Sequence, residues 1–226
     1  MATPQTPTPL SSPRKSPRWF HLLAGPNGAG KSTLYRALVR EGILGPPLEF
    51  VNADLHEQAH LQHIADPEVR SEAARQWADE RRATLLRKGA DFASETVFSH
   101  PSKLALIEEA QRLGYTVALY VVALDEPSRL LSRVAQRVRE GGHAVPPERI
   151  LARYPRTLEN LTQAVHRANV SYLYDAAEVT GTGPQLVAVC TPHETTALVP
   201  HLPRWAQQLV GRLTGQRTHP ARAATS

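Results

Sequence analysis

Eight residues near the start of the chain, Gly25-Pro26-Asn27-Gly28-Ala29-Gly30-Lys31-Ser32, fit the pattern G-x-x-x-x-G-K-[ST] at every fixed position. The chemistry of such a stretch is anion capture. Its glycines let the backbone turn closely enough to aim successive N–H groups at phosphate oxygens. A helix opening near Lys31 adds the positive end of its dipole. Lys31 would reach the β- and γ-phosphates of a nucleoside triphosphate, and Ser32 would ligate Mg²⁺. Thr33 follows in the first helical turn, within reach of the α-phosphate, so the expected nucleotide site runs from Gly25 to Thr33. Without a ligand the same string would be a plain glycine turn. The apolar run before it and the helical pattern after it argue for the phosphate loop. The loop alone does not fix a reaction, because motors, switches and kinases share it.

Two carboxylates stand where a second substrate would meet that loop. Asp54 closes the apolar stretch Phe50-Val51-Asn52-Ala53, and Glu95-Thr96 closes another short apolar stretch. In a metabolite kinase one carboxylate takes the proton from an attacking hydroxyl, and the other holds the acceptor in line with the γ-phosphate. Each could instead cap a helix, since strand ends are where helices begin. The pair beside a phosphate loop favours function. Asp125, followed by Glu126-Pro127, is open between two roles: a carboxylate holding Mg²⁺ through water, or an N-cap for the helix from Pro127. The string His56-Glu57-Gln58-Ala59-His60 matches H-E-x-x-H and places both histidines on one helix face, as a zinc site needs. Glu72 and Glu80 lie downstream as third-ligand candidates. A protease built on them would leave the phosphate loop and the paired carboxylates without a role, so the string reads as an ordinary polar segment.

Arginine supplies the remaining chemistry. Arg129, Arg133 and Arg137 recur every four residues beside Leu130, Val134 and Val138. After Pro147, Arg149, Arg153, Arg156 and Asn160 form a similar stripe beside Ile150, Tyr154, Leu158, Leu161 and Val165. Two helices would each carry a guanidinium row and an apolar row, joined by a loop with Gly141-Gly142, His143 and Pro146-Pro147. Arginines that close over a migrating phosphoryl group stabilise its equatorial charge, and a hinged helical pair can deliver them and exclude water. Several of these arginines are plain solvated charges. Arg137 and Arg153 are the expected clamp, with Arg133 third, and His143 reads as a loop residue.

The elements that position these groups follow from periodicity. Apolar runs at 18–25, 49–54, 90–96 and 116–125 read as strands, and the last is rich in β-branched residues, as in a parallel sheet buried on both faces. Helical patterns fall between them, at 67–88, around 127–140 and 147–168, with late strands at SYLYDA and QLVAVC and a terminal helix at LPRWAQQLVGRL. The alternation predicts an α/β fold: a three-layer phosphate-loop NTPase with a mainly parallel central sheet and a two-helix, arginine-bearing lid. Ligands of such sheets bind at the carboxyl ends of the strands. One domain is expected over 18–213, its lid at about 127–168, between disordered tails at 1–17 and 214–226.

Composition sets the outer limits. The chain has 226 residues, 41% of them hydrophobic, a net charge of +5 and a sequence pI near 9.7, which suits an anionic partner such as a nucleotide or sugar nucleotide. No apolar run is long enough to span a bilayer, the N-terminal residues lack a signal-peptide layout, and the single cysteine, Cys190, suits a reducing cytoplasm. The basic pI also admits a nucleotide-dependent nucleic-acid module, but the chain has no aromatic stacking platform or RNA-binding signature.

Together, AGPNGAGKST (24–33), FVNAD (50–54), SET (94–96) with SHPSK (99–103), and RVAQRVREGGHAVPPERILARYPRTLENL (133–161) resemble the zeta-toxin family of P-loop kinases over roughly 19–190. The Gly-Gly-His-x-Val-Pro hairpin is similar to that of its shorter, chromosomal branch. The resemblance implies ATP- and Mg²⁺-dependent phosphorylation of the 3′-hydroxyl of the sugar in UDP-N-acetylglucosamine. That product cannot feed cell-wall synthesis and is toxic, and a protein antitoxin is implied as a partner. It also implies Lys31 as the phosphate lysine, Asp54 as general base, Glu95 and Thr96 as acceptor contacts, and hairpin arginines as the γ-phosphate clamp. One departure is that YLYD (172–175) is followed by Ala176-Ala177, where related chains often continue Asn-Ser.

Overall fold

Tyr115–Ala123 is buried at every position but Thr116, and such a strand needs neighbours on both edges and cover on both faces. In the computed structural model it is β4, inside an eight-stranded sheet. The model describes residues 17–45, 48–140, 145–180, 183–211 and 218–220. The chain runs β1 (Arg18–Ala24), α1 (Lys31–Arg40), β2 (Glu49–Val51), α2 (Ala53–His60), α3 (Pro67–Lys88), β3 (Phe92–Thr96), α4 (Ser102–Arg112), β4, α5 (Pro127–Arg139), α6 (Pro147–Arg167), β5 (Val170–Thr180), β6 (Gly183–Cys190), β7 (Thr195–Ala197), α7 (Arg204–Val210) and β8 (Thr218–Pro220). The strand order is β2-β3-β1-β4-β5-β6-β7-β8. The first five are parallel; β6 is antiparallel to β5 and β7, and β8 is parallel to β7. The mainly parallel α/β sheet expected from the sequence is therefore present.

The helices start where the sequence marks them. Pro67, Pro127 and Pro147 each sit in a first turn, where a missing N–H costs nothing. Asp66 caps α3 by accepting from Glu68 N and Val69 N, and left-handed Gly89 ends it. The core forms where the strands meet these helices. Phe20 of β1 stacks on Phe92 of β3 with centroids 4.5 Å apart, and Tyr115 Oη donates to Ala90 O at the end of α3. Each fully buried phenylalanine contributes about 1.5–3 kcal/mol. Among the described residues no helix is long and apolar enough to cross a membrane.

Two local expectations differ from the structure. β2 stops at Val51, because Asn52 turns the chain and caps α2, so Asp54 lies in the first turn of a helix and not at a strand end. β8 lies within the stretch expected as a C-terminal tail, where Thr218–Pro220 pairs with β7. The hinge residues Gly141, Gly142 and His143, and the N-terminal stretch 1–16, lie outside the described residues.

Candidate active site

Parallel register brings the chemistry to one edge. Leu23 pairs with Glu95, and Ala24 pairs with both Thr96 and Val121, so the ends of β1, β3 and β4 lie side by side where the chain enters Gly25. The turn that follows tolerates no side chain at two of its glycines. At Gly25 (φ 150) a Cβ would lie 2.0 Å from Val122 O. At Gly28 (φ 79) it would lie 2.8 Å from Leu130 O of α5. The loop is thus wedged between β4 and the first lid helix, and α1 starts behind it from Gly30. This is a backbone cradle with helix N–H groups at its rim, the arrangement expected for binding phosphate.

Lys31 is buried. Its Nζ donates to Pro26 O at 3.0 Å and lies 3.5 Å from Glu95 Oε1. Glu95 Oε2 accepts from Ser32 Oγ (2.7 Å) and from Asn52 Nδ2 (2.8 Å). The Glu95 carboxylate therefore belongs to the phosphate side, gripped by three donors, and has a closer tie to Ser32 than the acceptor role expected of it suggests. Asp54 stands apart from that group. Its Oδ2 lies 3.4 Å from Arg137 Nη1 of the lid, and both side chains remain partly open to solvent.

A cleft of about 890 Å³ joins these residues. Asn27, Lys31, Asp54, Glu95 and Thr96 line it together with Arg137 and Arg153 of the lid helices and residues of α3. Among the described residues no carboxylate pairs with Arg153. Burial, and then Arg149, Arg75 and Arg156, push its pKa below the ordinary arginine value, though it stays a cation at neutral pH. Arg133 is not brought to the cleft. Its Nη2 donates to Ala176 O of β5 at 2.7 Å, and burial, then Arg129, lower its pKa. Asn160, expected in the second arginine stripe, is buried and donates to Phe98 O at 3.0 Å. Phe98 itself sits at φ 62, a costly angle for a residue with a Cβ, in the loop leaving β3.

Asp125 caps a helix, but not the one from Pro127. Its two oxygens accept from Arg204 N (2.9 Å) and Trp205 N (2.7 Å), so it caps α7 from 79 residues away. Asp175 holds the same helix through Trp205 Nε1 at 2.9 Å. Burial, and then these two aspartates, push the Tyr154 phenol up to about 12. Asp125→Ala is expected to cost about 0.5–2 kcal/mol in urea unfolding and to leave the metal dependence of nucleotide binding unchanged; a changed metal dependence would restore the metal role.

The H-E-x-x-H string lies on α2, but its groups are otherwise engaged. His56 stacks on Trp77 at 3.7 Å and lies 4.7 Å from the His60 ring, while buried Glu57 pairs with Arg70 at 3.2 Å. Among the described residues no group of three His, Cys, Asp or Glu side chains could hold a metal by itself. Mg²⁺ asks less of the protein, since it keeps waters and takes phosphate oxygens. A serine hydroxyl 2.7 Å from a carboxylate at the mouth of a phosphate cradle is a donor set that fits it.

A parallel sheet in the order 2-3-1-4-5, a glycine cradle after its central strand and a helical lid bearing arginines define the class of P-loop kinases. The family model described as zeta toxin matches residues 5–180, and the chain belongs to that family. Solved structures agree on the fold. One is the AvrRxo1-ORF1:ORF2 complex with ATP (TM-score 0.61, 17% identity, 93% of this chain and 68% of that one). Another is from the PezAT chromosomal toxin–antitoxin system of the human pathogen Streptococcus pneumoniae (TM-score 0.55, 17% identity, 73% of this chain and 70% of that one). At such identities the likeness concerns the fold alone. No curated protein matches the chain in sequence.

Proposed function

We propose that this protein transfers the γ-phosphoryl group of ATP to a hydroxyl of a small metabolite, a sugar nucleotide of the UDP-N-acetylglucosamine kind, at the 3′-hydroxyl of its sugar. The observation that carries the proposal is that Lys31 and Asp54 line one cleft together with Glu95. ATP as donor is supported by the cradle at Gly25 and Gly28 and by the ATP in the AvrRxo1 complex. A protein antitoxin is a proposed partner, by analogy with the PezAT system.

The groups divide the work. Backbone amides of the loop and the Lys31 ammonium hold the β- and γ-phosphates. Ser32, with Glu95 behind it, would hold Mg²⁺, which supplies charge neutralisation on those phosphates. Asp54 accepts the proton of the acceptor hydroxyl as that oxygen attacks. Arg153 and Arg137 approach from the lid and stabilise the equatorial oxygens. Thr96, beside Glu95, would position the acceptor.

The test is direct. Protein, ATP, Mg²⁺ and UDP-N-acetylglucosamine are incubated, and the products are read by ³¹P NMR. A new phosphomonoester coupled to the sugar C3 proton is the expected result. ATP consumed only when another metabolite is supplied keeps the kinase and replaces the acceptor.

A further inference from the structure

Asn52 uses the two ends of one amide on two groups that the proposed reaction needs. Its Oδ1 accepts from Leu55 N at 3.1 Å and so caps α2, the helix whose first turn carries Asp54. Its Nδ2 donates to Glu95 Oε2 at 2.8 Å, the same oxygen that accepts the Ser32 hydroxyl. The residue is only 4% exposed. Both bonds are therefore made by a buried amide, where losing either leaves a polar group with little water to replace it. An amide offers a neutral donor and an acceptor at once. An aspartate would keep the cap but set a carboxylate against Glu95, and a serine would keep a cap but could not reach both partners. One amide thus ties Glu95 to the first turn of α2.

We infer that Asn52 is a positioning residue for phosphoryl transfer: one amide fixes Glu95 beside Ser32 and sets the first turn of α2, with Asp54, against the phosphate loop. The inference rests on the kinase function proposed above. It differs from simple helix capping because a cap alone has no bearing on how the metal-bound nucleotide is held.

Asn52→Asp and Asn52→Ser separate the two bonds. Both substitutes cap helices well, so α2 stays capped in both, and the lost bond to Glu95 is expected to lower the melting temperature by only a few degrees. Binding of a fluorescent ATP analogue is then measured with Mg²⁺ and in EDTA. In both variants the Mg²⁺-dependent affinity is expected to fall about ten- to hundredfold, the usual effect of losing a partner behind a metal ligand, while affinity in EDTA is unchanged. Wild-type Mg²⁺-dependent affinity in both variants overturns the inference and leaves the kinase standing. So does a loss that tracks melting temperature and is equal in EDTA, which would mean capping alone. Failure of the wild type itself to bind the nucleotide overturns both.

Discussion

Asp54→Asn is expected to slow phosphoryl transfer by about 10²–10⁴-fold, the contribution of a positioned general base, and to leave ATP affinity unchanged. The substitution is nearly isosteric and retains an oxygen facing Arg137, so the lid keeps a partner at the 3.4 Å contact. What it removes is the capacity to take a proton. Asp54 suits that task better than Glu95 does. Glu95 is tied to Lys31, Ser32 and Asn52 on the phosphate side, whereas Asp54 faces the cleft with one cationic neighbour. Turnover should fall with little change in KM for the acceptor, the pattern of an interaction made only in the transition state. Unimpaired turnover would move the base role elsewhere.

Arg153→Ala is expected to reduce kcat by about 10³–10⁵-fold, the scale associated with an arginine that meets a transferring phosphoryl group. Arg153 reaches the cleft without a carboxylate partner among the described residues, beside Arg149, Arg156 and Arg75. An anion placed there relieves the repulsion among these cations, and the relief is greatest where negative charge is greatest, in the transition state. Arg153→Lys should recover only part of the rate, because an ammonium lacks the planar fork. Arg137→Ala is expected to cost less than Arg153→Ala. Arg137 also lies against Asp54, so its removal frees the base while it weakens the clamp. A loss at Arg153 confined to KM would make it an acceptor-binding residue instead.

The elements were legible in the sequence where local chemistry alone decides them. Prolines at first turns mark α3, α5 and α6, and the uninterrupted apolar run of β4 marks a strand deep in a parallel sheet. The phosphate loop was legible because its glycines answer a local need, the close passage of backbone past β4 and α5. The end of β2 was not, since Phe50-Val51-Asn52-Ala53 reads as strand until Asn52 is recognised as a cap. That signal was present, as asparagine is a favoured cap, but the second bond of Asn52 joins residues 43 apart and has no local signature.

The arginine rows show the same boundary from the other side. Spacing of four gives a helix face, but not what the face meets. Arg137 meets Asp54, while Arg133, one turn earlier, is drawn to the carbonyl of Ala176. Asp125 looked like a choice between two local roles, and its partners are the N–H groups of Arg204 and Trp205. Contacts made across such separations depend on how the layers pack, which no short stretch of residues encodes.

The most direct test of the account is the fate of γ-labelled phosphate from ATP when the protein is incubated with Mg²⁺ and a metabolite extract. The account predicts that label passes to the hydroxyl of a small molecule with the native protein and not with Asp54→Asn. Label released only as inorganic phosphate, or transferred equally by both proteins, would contradict it.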